Sequence, residues 1–268
     1  MSKAKQQYAL ELLSVGSLMF SFLRRWFKKN PSPVYRVLVI GGSGFVGRLI
    51  LPFLAKEFSL TVFDLKPPPN GPWKYICADV QNRKVLESAS KSMNALLYMA
   101  MGSINPSDHV TTSYDVNVKG LHLALEAARQ AGIKRAVYTS TVSVYDWHDD
   151  LTTGVTDKEE VPPRAKTVYG LTKHLGEQVC QFFHDRYNLS VLVLRLFFPV
   201  SIEERRTEPF KGLVDCRTVA SDLARAVISS LKSTHSEFEI IHITGDQTGR
   251  AFRHEKAKEI LGWEPQVR

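Results

Sequence analysis

An apolar, β-branched run, Tyr35-Arg36-Val37-Leu38-Val39-Ile40, breaks at Gly41-Gly42-Ser43-Gly44 and resumes at Phe45 with helical spacing through Val46, Leu49, Ile50, Phe53 and Leu54. The first part reads as a buried parallel strand and the last as a helix with one apolar face. Glycine at such a junction permits a tight turn and lets a ligand approach bare backbone. Free N–H groups at the helix start then attract a pyrophosphate. Gly42, Gly44 and Gly47 fit the G-x-G-x-x-G dinucleotide spacing, and Gly41, Gly44 and Gly47 fit a G-x-x-G-x-x-G variant. The candidate cofactor-binding residues of this turn are thus Gly41, Gly42, Ser43, Gly44, Phe45, Val46 and Gly47. A second strand, Leu60-Thr61-Val62-Phe63-Asp64, ends in an acid 22 residues after Gly42. A carboxylate there would hold the adenosine ribose hydroxyls and repel a 2′-phosphate, which favours NAD over NADP. Lys66 is the nearby cation that works against that preference.

Strand and helix patterns alternate after residue 34. Strands are expected at 35–40, 60–64, 74–78, 95–100, 135–140 and 190–196, with helices near 45–57, 83–92, 107–131 and 167–187. Such alternation means βαβ units and a Rossmann-type, doubly wound parallel sheet of the α/β class. Beyond Pro199 the rhythm changes. An irregular, charged stretch (201–216) precedes a helix near 218–232, a strand near 238–243 and a helix near 253–261. The expected organisation is an N-terminal arm and linker over 1–34, a dinucleotide-binding domain over 35–199, and a small C-terminal substrate cap over 200–268 with elements returning to the core.

The net charge is +8, but residues 1–36 hold seven Lys or Arg against one acid, which leaves only +2 on the remaining 232 residues. The basic balance therefore describes the arm, not a nucleic-acid-binding face. In the arm, Leu12, Val15, Leu18, Met19, Phe22, Leu23, Trp26 and Phe27 surround a polar stripe of Ser14, Ser17, Ser21, Arg24 and Lys28. The apolar stretch is too short to span a bilayer. Residues 8–29 read equally as an interfacial helix meeting anionic head groups and as a helix packed on the domain or a partner. Three well-separated cysteines (Cys77, Cys180, Cys216) oppose a disulfide framework and suit a reducing, cytoplasmic location, with peripheral membrane contact through the arm as the alternative. The eight histidines show no metal-ligand spacing, so no metal is expected.

The strand Ala136-Val137-Tyr138-Thr139-Ser140 runs into Thr141-Val142-Ser143-Val144-Tyr145, and 28 residues after Thr141 comes Tyr169-Gly170-Leu171-Thr172-Lys173. Tyr169 and Lys173, at i and i+4, share one helical face. An ammonium beside a phenol favours the phenolate, so such a Tyr can take a proton from an alcohol while hydride leaves the same carbon for a nicotinamide. A Thr141 hydroxyl would hold the substrate oxygen in line. The catalytic candidates are Thr141, Tyr169 and Lys173.

On these residues the chain resembles the extended short-chain dehydrogenases/reductases, the NAD-dependent epimerase/dehydratase group. Further motifs carry the resemblance over about 35–265: Cys77-Ala78-Asp79-Val80, Leu97-Tyr98-Met99-Ala100, Asn117-Val118-Lys119-Gly120, Leu194-Arg195-Leu196-Phe197-Phe198-Pro199 and the closing Gly262-Trp263-Glu264-Pro265. The resemblance implies cofactor contacts from Asp79, Val80, Ala100 and Asn117, with Asp79 near adenine. It also implies substrate positioning by Thr141, acid/base work by Tyr169, and Lys173 both tuning Tyr169 and binding the nicotinamide ribose. Val142 and Ser143 stand where the family's sugar dehydratases carry an Asp-Glu pair, which argues against water elimination. Phe198 replaces an Asn common in sugar-nucleotide epimerases, Met101 a small residue, and Asp146 a Gly.

The short C-terminal region is closer in size to family members that oxidise uronic acids. Arg205, Arg206, Lys211 and Arg217 could meet a substrate carboxylate or phosphate, although solvated loop charges have the same composition. The expected activity is NAD-dependent oxidation or epimerisation at a secondary hydroxyl of a sugar-like, anionic substrate. The alternatives are a sugar-nucleotide epimerase with a shortened cap and a non-catalytic NAD-binding scaffold. The family also suggests a homodimer across the helices near 107–131 and 167–187. Leu121, Leu123, Val179 and Phe183 are its candidate contacts, with core packing an equal fate for each.

Overall fold

The computed structural model describes residues 34–103, 109–145, 159–210 and 214–267. The arm and the helix expected over 8–29 lie outside the described residues, as do Asp146 and Lys211. Arg36–Arg268 forms one compact unit. Among its described residues the seven strands are β1 (Arg36–Ile40), β2 (Ser59–Asp64), β3 (Trp73–Cys77), β4 (Ala95–Tyr98), β5 (Arg135–Thr141), β6 (Ser190–Leu196) and β7 (Glu239–Ile243). They form a single sheet in the order β3-β2-β1-β4-β5-β6-β7, and every pairing is parallel.

Burial follows from that topology. All residues of β4, β5 and β6 are buried, as expected for strands covered on both faces. The edge strand β3 is largely exposed. The strand after Pro199 is not part of a separate layer: β7 pairs with β6 from Leu192↔Glu239 to Leu196↔Ile243.

The helices are α1 (Phe45–Leu54), α2 (Arg83–Ser90), α3 (His109–Tyr114), α4 (Leu121–Gln130), α5 (Val168–Tyr187), α6 (Ile202–Thr207), α7 (Ala220–Lys232) and α8 (Glu255–Leu261). The expected single helix near 107–131 is interrupted by a π-helical turn, Asp115–Gly120, between α3 and α4. The Tyr98 hydroxyl donates to the Val116 carbonyl of that turn at 2.6 Å, so the end of β4 holds the widened backbone in place. Helix α6 lies in a stretch expected to be irregular. A reciprocal cap makes it: Ser201 Oγ accepts from Glu204 N at 3.1 Å, and Glu204 Oε2 accepts from Ser201 N at 2.6 Å.

Two of the four apolar residues considered for a dimer face belong to the core. Leu121 and Phe183 are fully buried with Leu125, Tyr138 and Cys180, while Leu123 and Val179 pack half-buried against the same cluster. Among the described residues no helix is long and apolar enough to cross a membrane.

Candidate active site

Strand order reverses at β1, which has β2 on one side and β4 on the other. In an open parallel sheet the crevice beyond the strand ends at such a point receives ligands. A cavity of about 1090 Å³ lies there, walled by the turn after β1, the ends of β2, β4, β5 and β6, and the start of α5.

The glycine turn is shaped by contact with β4. Gly41 has φ +84°, and a Cβ on it would stand 2.3 Å from Ala100 N, so only glycine fits. Helix α1 begins after Gly44 with no side-chain cap and no acid in its first turn. Its free N–H groups therefore suit an anion. Gly41, Ser43, Gly44, Phe45 and Val46 line the cavity, whereas Gly42 and Gly47 pack inside the turn and leave no surface on it.

Asp64 also lines the cavity, and its carboxylate is tied to the turn: Oδ2 accepts from Ser43 N at 2.9 Å and Oδ1 from Lys66 N at 3.2 Å. Ser43 Oγ in turn donates to Lys66 O at 2.5 Å. The acid thus locks the loop after β1 to the loop after β2. Arg48 joins the same wall and donates from Nε to Ser43 O at 2.9 Å. Its position beside Gly47 was the signal for it, which spacing rules for glycine do not read. Asp79, Val80 and Ala100 line the cavity as well.

Asn117 does not. It is fully buried in the π-helical turn, where Oδ1 accepts from Gly102 N at 3.2 Å and Nδ2 donates to Thr172 Oγ1 at 2.9 Å. The structure places it behind the wall, joining the loop after β4 to α5.

At the other end, Thr141 closes β5 and Tyr169 opens α5. Their approach depends on Gly170, where a Cβ would stand 2.0 Å from Ser143 O. The Thr167 hydroxyl caps the helix by accepting from Gly170 N at 3.0 Å. Thr141 Oγ1 donates to Ser143 Oγ at 3.2 Å, and the Thr141 side chain beside the Tyr169 phenol acts toward the phenolate. Burial is the larger influence and raises the Tyr169 pKa.

Lys173 is buried with its Nζ 2.8 Å from Thr139 O and 4.9 Å from the centroid of the Tyr138 ring. Burial pushes its pKa from 10.5 down to about 7. This corrects the simple expectation of a fixed ammonium pulling the phenol down: in the ligand-free protein, burial acts on both groups toward their neutral forms.

Behind α5 lies a buried ionic network that the sequence reading did not assign. Arg195 on β6 meets Glu177 on α5 through two hydrogen bonds, Nε to Oε1 at 2.8 Å and Nη2 to Oε2 at 2.7 Å. Ser140 Oγ donates to the same Glu177 Oε1 at 2.6 Å, and Arg195 Nη1 donates to the Tyr145 hydroxyl. Glu177 lies one turn beyond Lys173 on the same helix, which was the available signal.

Of the cations that could meet a substrate anion, the three among the described residues are placed elsewhere. Arg217 is buried and paired with Asp215 at 2.7 Å. Arg205 pairs with Asp215 at 3.6 Å and also donates to the Arg217 carbonyl. Arg206 is exposed on α6, and none of the three lines the cavity. Met101 and Phe198 do line it, 45% and 69% exposed. Among the described residues no group of His, Cys, Asp and Glu could hold a metal ion.

This sheet, this glycine turn and a Tyr/Lys pair on the wall of one crevice define an extended short-chain dehydrogenase/reductase. The chain belongs to the NAD dependent epimerase/dehydratase family, whose model matches residues 37–244. It is 30% identical over 180 residues to an L-arabinose 1-dehydrogenase (NAD(P)(+)) of Haloferax volcanii, covering 64% of this chain and 70% of that one. With a uronate dehydrogenase of Pseudomonas putida it shares 25% identity over 173 residues, 62% of this chain and 61% of that one. The fold matches the solved structure of MoeE5 in complex with UDP-glucose and NAD with a TM-score of 0.70 at 23% identity, over 87% of this chain and 94% of that one.

Proposed function

We propose that the protein is an NAD-dependent oxidoreductase or epimerase acting on a secondary hydroxyl of a sugar-like substrate. The observation that carries this reading is that Thr141, Tyr169 and Lys173 line the same cavity as the uncapped start of α1. The residues present fit the cofactor. The N–H groups of the turn after Gly41 would receive its pyrophosphate, and Asp64, held by Ser43 and Lys66, would face its adenosine ribose. NAD bound there supplies the acceptor for a hydride. Thr141 would hold the substrate oxygen, and Tyr169 would take its proton as the C–H bond breaks. Lys173, with a pKa of about 7, titrates in the range where it could carry that proton onward or bind a ribose hydroxyl. Val142 and Ser143 offer no carboxyl for water elimination, which leaves oxidation or hydride return as the outcomes.

The test is incubation of the full chain with NAD⁺ and a panel of neutral sugars, uronic acids and sugar nucleotides, following NADH absorbance and the sugar product. Net NADH means a dehydrogenase, and an altered sugar without it means an epimerase. Neither, in protein shown to bind NAD, would leave the scaffold reading in place.

A further inference from the structure

We infer that Glu177, which does not line the cavity, is a positioning residue for the proposed reaction: it clamps α5 to the end of β5 and supplies the negative charge that holds a proton on Lys173. The inference rests on the roles given above to Tyr169 and Lys173. Tyr169, Lys173 and Glu177 stand at i, i+4 and i+8 of α5, so they form one row along the helix. The row meets β5 rung by rung. Lys173 Nζ donates to Thr139 O at 2.8 Å, and Ser140 Oγ, one residue on, donates to Glu177 Oε1 at 2.6 Å. The next residue is Thr141. Two successive turns of α5 are thus tied to the two residues before Thr141, which fixes where Tyr169 stands against it.

Glu177 is a charge as well as a link. It is fully buried, and its carboxylate is bound by Arg195 Nε and Nη2, by Ser140 Oγ, and by His174 Nδ1 at 3.2 Å. Burial acts to raise its pKa, but these hydrogen bonds and the Arg195 charge outweigh burial and hold it below the ordinary glutamate value. The carboxylate therefore stays ionised inside the protein. Arg195 projects from β6, where it pairs with Ser140, whereas Glu177 shares a helix row with Lys173. Arg195 also divides its donors, bonding the Tyr145 hydroxyl and, at 3.2 Å, Glu159 O.

The other titratable groups around Lys173 are neutral near pH 7. Burial pushes the Cys180 thiol and the Tyr138 phenol well above their ordinary values and raises Tyr169 as well. Burial lowers the Lys173 pKa most, while Cys180 and Glu177 act the other way. A neutral thiol supplies little field, so the carboxylate is the anion that offsets burial. In a medium of low effective dielectric, a charge one helical turn away is felt strongly. Without that anion Lys173 would be neutral at pH 7. The ammonium that favours the Tyr169 phenolate would then be gone.

The test follows Lys173 itself in the ligand-free full chain, with isotope-labelled lysine and an NMR titration from about pH 5 to about pH 11. Its signal is the one missing from Lys173→Met. Wild type should titrate at about 7. Glu177→Gln should lower that midpoint by at least about one unit, a tenfold loss of proton affinity, and Glu177→Asp should recover at least about half of the drop. A site merely loosened by the substitution admits water and moves the midpoint the other way, toward 10.5. Should Glu177→Gln not stay folded, Arg195→Met with Glu177→Leu leaves no orphan charge, and the midpoint should fall there too. A midpoint that rises, or that stays within about 0.3 unit of wild type, in the variant that folds would overturn the inference. The titration needs no substrate. Failure of the NADH panel would sink the proposed reaction without bearing on the coupling of Glu177 to Lys173.

Discussion

Lys173 donates its hydrogen bond to the Thr139 carbonyl oxygen, 2.8 Å away, and so is anchored to the strand that ends in Thr141. The cation and the phenol four residues before it share a helix face, yet the described hydrogen bond of the cation goes to the sheet. A lysine buried with one carbonyl and the Tyr138 ring for partners is uncomfortable when charged, and its pKa falls to about 7.

That shift sets a sign for stability against pH. Between about pH 7 and the ordinary lysine value of 10.5, the unfolded chain carries a proton that the folded chain lacks. Stability from this residue therefore rises across that window, and the full penalty applies below it. Lys173→Met in the ligand-free protein should raise the melting temperature at pH 6, and the gain should shrink toward zero by pH 10. A difference that stays constant over pH 6–10 would refute the buried, depressed lysine.

Tyr169→Phe keeps the ring that packs at the start of α5 and removes the hydroxyl that the Thr141 side chain biases toward the phenolate. Turnover should fall roughly a hundredfold to ten-thousandfold, the usual scale of acid–base help, with NAD affinity unchanged. Steady-state kinetics beside a calorimetric titration of NAD checks both halves. Near-normal turnover would remove Tyr169 from the reaction.

Asp64→Ala takes the acceptor from two backbone N–H groups, those of Ser43 and Lys66. The glycine turn should loosen, and NAD should bind about tenfold more weakly, equivalent to about 1.4 kcal/mol. NADP should suffer less, because the carboxylate that repels its 2′-phosphate is gone while Arg48 and Lys66 remain on the wall. A parallel loss for both dinucleotides would separate the loop-holding role from ribose selection.

Glu177→Gln or Arg195→Met leaves one member of a buried pair without its partner. Each should cost about 3–5 kcal/mol in denaturant unfolding. Arg195→Met combined with Glu177→Leu should cost less than the sum of the singles, since it leaves no orphan charge. A single variant within 1 kcal/mol of wild type, about the worth of an exposed pair, would contradict the buried geometry.

Much of this arrangement was legible in the chain because it rests on local rules. Alternating strand and helix periods gave the parallel sheet, and the expected strand at 190–196 matches β6 to the residue. Gly41, Asp64, Thr141, Tyr169 and Lys173 reach one cavity because a parallel sheet gathers strand ends on one side. What pattern does not encode is competition among neighbours. The π-helical turn arises where the Tyr98 hydroxyl claims a carbonyl from a distant helix. Asn117 reads as a cavity residue by motif, yet it is claimed by Gly102 and Thr172. Arg205 and Arg217 looked available because Asp215, their partner, is itself an ordinary loop acid. The Ser201-x-x-Glu204 box, by contrast, was in plain view and marks α6.

The strand order also bears on how the chain is made. From β5 onward each new strand docks beside the one synthesised just before it, so the sheet can extend outward as the ribosome works. During that time β6, buried along its whole length in the finished protein, presents an open edge of unpaired backbone groups on the side away from β5. It stays so until Glu239 and the residues after it emerge, an interval of roughly 2–9 s at ordinary elongation rates. A chain stalled before β7 should clump or recruit a chaperone, whereas one stalled after it should not.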